Sequence, residues 1–151
     1  MEVISYQTDN QSPTNLGLFN YAVSYYKSAS ALKKLNINDI THQNAPVEFL
    51  YVHSAELFFK SYLRLEKRVS YIKKISHDFE KLAKSCAALS LSDEEDKTIE
   101  LIAIHKINST ARYIETGVKE NYPTIESLEK LCQGLYDKVR IKFLENGINV
   151  R

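Results

Sequence analysis

Val52-His53-Ser54-Ala55-Glu56-Leu57-Phe58-Phe59-Lys60-Ser61-Tyr62-Leu63 is the stretch that decides the fold class of this 151-residue chain. At about 100° per residue, His53, Glu56, Lys60 and Arg64 share an arc of roughly 80° on one helical face. Val47, Tyr51, Ala55, Phe58, Phe59, Tyr62 and Leu65 line the opposite face, and Phe49, Leu50, Leu57 and Leu63 crowd in beside the polar stripe. A helix this apolar belongs at the centre of its domain. The stripe has two readings. It is a solvated face with an ordinary Glu56/Lys60 i,i+4 pair, or it lines a groove or subunit interface, where partly buried charges need partners.

Outward from that helix the same period recurs. Ser12-Pro13-Thr14 starts a helix carrying Leu18, Tyr21, Ala22, Tyr25, Tyr26, Ala29 and Leu32, which runs to about Leu35. Asn36 to Asn44 reads as a loop, and Pro46 suits the first turn of the central helix, which extends to about Arg68. Val69 to Ser76 is a basic connection, after which Ser76-His77-Asp78 offers caps and an early negative charge for a third helix, with Phe79, Leu82, Ala83 and Cys86 on its buried side. Ser92 and Glu95 form a capping box that opens a fourth helix, expected to reach about Tyr113. Pro123-Thr124 restarts the pattern after Gly117 to Tyr122. Ile125, Leu128, Leu131, Leu135, Val139 and Phe143 then make a last long helix ending at Asn146-Gly147.

Four glycines and three prolines leave little punctuation for a many-stranded fold. The expectation is therefore all-α, an up-and-down bundle of four to five helices, with residues 1–13 a flexible leader and 14–147 one domain. The length suffices for a core without metal or disulfide support. Cys86 and Cys132 sit in helical apolar patterns and read as core-filling thiols. Twenty basic residues against nineteen acidic ones give a net charge of +1, so no whole-molecule field argues for nucleic acid or an anionic membrane. Met1 to Gln11 lacks the basic-then-apolar order of a secretory signal, and no apolar run approaches the roughly 20 residues of a membrane span. A cytoplasmic location without membrane contact is expected.

Several chemistries find no support. The order His53-x-x-Glu56 and His77-x-x-Glu80 reverses the Glu-x-x-His of di-iron bundles. The cysteines lack second ligands at zinc spacing, and no glycine-rich phosphate loop is present. Neither a metal nor a cofactor is expected. His42 and His105 read as structural or solvated. His77-Asp78 is an orienting pair or simply a helix start. Arg112-Tyr113 places a guanidinium either on the last carbonyls of a helix or on a carboxylate or phosphate. Lys67, Arg68, Lys73 and Lys74, beside Tyr71, make the one dense basic cluster, either a solvated loop or a seat for a phosphate backbone.

Taken in order, Ser54-Ala55-Glu56 with Lys60, Ser76-His77-Asp78-Phe79 with Leu82, and Ala111-Arg112-Tyr113 resemble the HEPN superfamily, helical domains named for nucleotide binding in higher eukaryotes and prokaryotes. The resemblance covers about Val47 to Tyr113. It implies a helical bundle, commonly a homodimer, working in toxin–antitoxin, phage-defence or RNA-processing systems, often beside a small nucleotidyltransferase. Two departures bear on mechanism. No arginine is followed after four to six residues by a histidine, the pattern of the superfamily's metal-independent ribonucleases, and Ile114 stands where a proline often follows Arg-Tyr.

Three functional readings follow. In the first, a dimeric binding module without chemistry of its own uses Glu56, Lys60, His77, Asp78, Arg112 and Tyr113 to hold a nucleotide, an RNA segment or a partner protein such as a nucleotidyltransferase. In the second, His77 or His53 acts as general acid or base on RNA, with Lys60 or Arg112 stabilising the anionic transition state. In the third, the stripe is a packing feature and the partner surface lies elsewhere.

Overall fold

The computed structural model describes residues 14–68, 78–110 and 121–150, and among these every regular element is helical. The elements are α1 (Asn15–Lys34), α2 (Asn44–Leu65), α3 (Phe79–Ser85) with a 3-10 turn at Ala87–Leu89, α4 (Asp93–His105), α5 (Ile107–Thr110) and α6 (Ile125–Glu145). The expected leader, the basic connection from Val69 to Ser76 and the Arg112-Tyr113 pair lie outside the described residues.

Local chemistry sets most of the ends. Thr14 caps α1 by accepting from the Gly17 amide, Thr124 caps α6 through the Ser127 amide, and Asp78 caps α3 through the Lys81 amide. The capping box at α4 is complete: Ser92 Oγ accepts from Glu95 N at 3.1 Å while Glu95 Oε1 accepts from Ser92 N at 3.0 Å. Helix α2 stops at Leu65, three residues before the expected end, because Lys67 turns left-handed (φ 60) and the Arg68 amide reaches back to Leu63 O. Gly147 (φ 73) closes α6 the same way, with Ile148 N on Phe143 O.

The fourth helix differs from expectation. It ends at His105, and left-handed Lys106 (φ 50) separates it from α5. In an unbroken helix Ile107 would stand about 140° around from Ile102. The break re-phases the chain so that Ile102 and Ile107 are both buried, which is what the sequence of apolar residues requires.

Helix directions follow from paired side chains. Ala22, Tyr25 and Ser30 of α1 meet Ser54, His53 and Tyr51 of α2, so the two run antiparallel. Lys33, Tyr26 and Phe19 meet Glu129, Gln133 and Phe143, which sets α6 antiparallel to α1. Glu95 meets Lys138 near the start of α4, while His105 at its end meets Asn121 just before α6. The four long helices therefore alternate in direction, an up-and-down bundle.

Helix α2 is the axis of the core. Tyr51, Val52, Ala55, Phe58, Phe59, Tyr62 and Leu63 are all buried, so its apolar side and part of its striped side are covered. Phe19 of α1 packs on Phe58 and on Phe143 of α6, and Phe59 meets Phe79 of α3 edge-on. Small residues let α1 and α2 approach closely: Ala22 and Ser54 are fully buried, and Ser54 Oγ donates to Ala22 O at 2.7 Å. Beyond α6, Val150 returns to the core.

Candidate functional site

The stripe on α2 is a half-sunken cluster. Glu56, whose side chain is 6% exposed, lies with Oε1 3.2 Å from Lys60 Nζ and Oε2 3.8 Å from His53 Nδ1. Helical spacing produces this arrangement directly: residues three before and four after Glu56 stand on its face, one turn to either side. A carboxylate so far from water is costly unless paired, and Lys60 supplies the pairing charge. Lys60 and His53 are themselves 20% and 30% exposed, so the expected Glu56/Lys60 i,i+4 pair forms on a face that is only partly solvated. Arg64, the fourth member, is half-buried and completes the line toward the end of α2.

Aromatic rings hold the imidazole. Phe49, one turn before His53, stacks on it with centroids 5.8 Å apart, and Tyr25 of α1 meets it edge-on at 4.6 Å. One turn earlier on α1, Tyr21 is 64% exposed, the most open of the large apolar side chains among the described residues. His53 is thus flanked by two rings and the Glu56 carboxylate, with 30% of its side chain exposed.

The other expected site residues divide. His77, Arg112 and Tyr113 lie outside the described residues, as do Tyr71, Lys73 and Lys74. Asp78 serves the helix it starts, since its carboxylate accepts from Lys81 N at 3.0 Å and lies 3.9 Å from Lys81 Nζ. Arg68 ties the end of α2 to α3 by donating to Ser85 O at 2.9 Å, and also faces Glu66 at 3.7 Å. His42 sits in the exposed α1–α2 loop against Thr41, and His105 contacts Asn121 O and the Tyr122 ring.

Both cysteines are core-filling, as their positions predict. Cys86 donates to Phe59 O and Cys132 to Tyr51 O, and burial pushes each thiol up to about 12. Among the described residues no group of three or more His, Cys, Asp or Glu side chains is placed to hold a metal ion, and no helix is long and apolar enough to cross a membrane.

Two polar clusters were not legible from sequence patterns. Glu129 of α6 accepts from Tyr51 OH at 2.7 Å and pairs with Lys33 at 2.9 Å, and Ser30 shares a hydrogen with the Tyr51 hydroxyl at 2.9 Å. The Tyr51 and Lys33 hydrogen bonds hold the Glu129 carboxyl below the usual range, against a smaller opposing effect of burial. The second is Glu95, which besides its capping bonds receives Lys138 of α6 and packs its free Oε2 against Gly134. Both join residues far apart in the chain, and only the capping box announces itself locally. Compared with protein-family models, curated proteins and solved structures, the chain finds no match in any of the three.

Proposed function

We propose that the chain is a HEPN-like binding module that holds a nucleotide or a segment of RNA on the striped face of α2, as a homodimer within a toxin–antitoxin or phage-defence type system. The observation that carries the binding face is the sunken Glu56 carboxylate between His53 and Lys60. Glu56 acts as the anchor: it fixes the Lys60 ammonium, which uses one of its three N–H groups inward and keeps two for an incoming anion. The imidazole, braced by Phe49 and Tyr25, lies on the other side of the same carboxylate. Pre-positioned donors bind phosphate at low entropic cost, and an aromatic neighbourhood suits a base. His77, Asp78, Arg112 and Tyr113 enter this reading through the family resemblance, as does a nucleotidyltransferase partner.

The sequence lacks the arginine-to-histidine spacing of the superfamily's ribonucleases, which favours binding over cleavage. The test is incubation of wild type with a labelled RNA pool without added metal, followed by native and denaturing gels. Shifted but intact RNA is expected. Cleavage that disappears in His77→Ala would overturn the reading in favour of a divergent ribonuclease using His77 and Arg112.

A further inference from the structure

On the other flank of α1, away from His53, an open groove of about 410 Å³ lies between α1 and α6. Lys27, Ser30 and Lys34 follow one another along α1 at helical spacing, with Ala31 leaving the space between the two lysines unobstructed. The lysines are seven positions apart, so they rise from the same side of the helix about 10 Å apart along its axis. Tyr26 and Tyr136 form the wall, their rings stacked with centroids 6.5 Å apart, and the Tyr26 hydroxyl donates to Gln133.

The charges here are uneven. Lys27 and Lys34 have no ion-pair partner among the described residues. The two carboxylates on the neighbouring part of α6 are already engaged: Glu129 takes Lys33 and Tyr51 and feels Lys34 only through space, and Asp137 accepts from Gln133 Nε2 at 3.2 Å. Two ammonium groups without a contact partner therefore flank a concave, partly aromatic surface, a combination that attracts an anion bearing a planar group. The volume falls within the about 300–1,000 Å³ typical of small-ligand sites.

We propose that this groove binds a nucleoside monophosphate, its phosphate held between Lys27 and Lys34 and its base against the Tyr26/Tyr136 wall. The site is separate from the His53–Glu56–Lys60 cluster and stands whether or not that cluster binds RNA. Lysine is a strong point-charge partner for phosphate, while the Ser30 hydroxyl between the two gives its hydrogen to Tyr51.

Isothermal titration of the full chain at low salt with adenosine monophosphate, inorganic phosphate and adenosine tests it. Adenosine monophosphate is expected to bind saturably, phosphate more weakly at the same site, and adenosine not measurably. The double variant Lys27→Gln/Lys34→Gln should weaken adenosine monophosphate binding by about tenfold or more with an unchanged melting temperature, because both side chains are exposed. Lys84→Gln, an exposed α3 lysine paired with Glu80 and outside both sites, should leave that binding intact. Absence of saturable binding, or wild-type affinity in the double variant, would overturn the proposal. Loss of binding in Lys84→Gln would make the binding a response to net charge and overturn it as well. Phosphate binding as tightly as the nucleotide would remove the base from the site.

Discussion

Replacing Gly134 by alanine puts a methyl group where Glu95 already sits. A Cβ at that position would overlap Glu95 Oε2 and lie 2.9 Å from Cδ, so the carboxylate must move. Moving it breaks the link to Lys138 and the bond from Ser92 N, both of which end on Oε1. Hydrogen bonds to charged groups contribute about 1.5–3 kcal/mol each, and the cap itself about 1 kcal/mol. Against this, alanine gains about 1 kcal/mol over glycine inside a helix. The net expectation is a loss of about 1–3 kcal/mol, which lowers the melting temperature of a domain this size by roughly 2–10 °C. Calorimetry or thermal circular dichroism reads it. The sharper measurement is the cycle with Glu95→Ala: once the carboxylate is gone the methyl has room, and Gly134→Ala should then stabilise by about 1 kcal/mol. Stabilisation of the otherwise unaltered chain by Gly134→Ala, or an equal effect in both backgrounds, would rule out this clash with Glu95.

Three further outcomes are expected. Glu95 and Glu129 both have carboxyl groups held below the ordinary value of 4.5, Glu129 by Tyr51 and Lys33, Glu95 against the upward push of its burial by Lys138 and the cap. Their stabilisation is complete above that value and is lost as pH falls through the depressed folded values, so the melting-temperature gap between wild type and Glu129→Gln should narrow steadily in an acid series. Ser92→Ala removes the α4 cap and should cost about 1 kcal/mol in chemical denaturation, while Ser90→Ala, with no side-chain cap role, serves as the control. Cys86 and Cys132, buried and raised to about 12, should resist an aromatic disulfide reagent in the native state and both react after unfolding; rapid native labelling of either would contradict their placement.

The parts of this structure governed by neighbours in sequence were legible beforehand, and the parts governed by neighbours in space were not. Helical period placed all four long helices, and the Ser92–Glu95 box and the Asn146-Gly147 end lie where their residue types predict. The break at Lys106 escaped the pattern because lysine carries no turn signal. Its left-handed backbone answers to burial of Ile107, a tertiary demand. The α2 cluster shows the same division. The spacing of His53, Glu56 and Lys60 fixed their shared face, but the depth of Glu56 depends on what covers α2, and the Tyr25 ring beside His53 arrives from another helix. Glu129 looked like any outward carboxylate on an amphipathic helix until Tyr51 and Lys33 were brought to it.

On the proposed function, the sunken Glu56 carboxylate organises a phosphate-binding face on α2. Fluorescence anisotropy of a labelled single-stranded RNA against wild type, Lys60→Gln and Glu56→Gln, each checked for an intact fold by circular dichroism, tests it most directly. Wild type is expected to bind saturably, with binding weakened by about tenfold or more in Lys60→Gln, and weakened also in Glu56→Gln, where the ammonium loses its anchor. Folded variants that bind RNA as wild type does, or a wild type that does not bind at all, would contradict it.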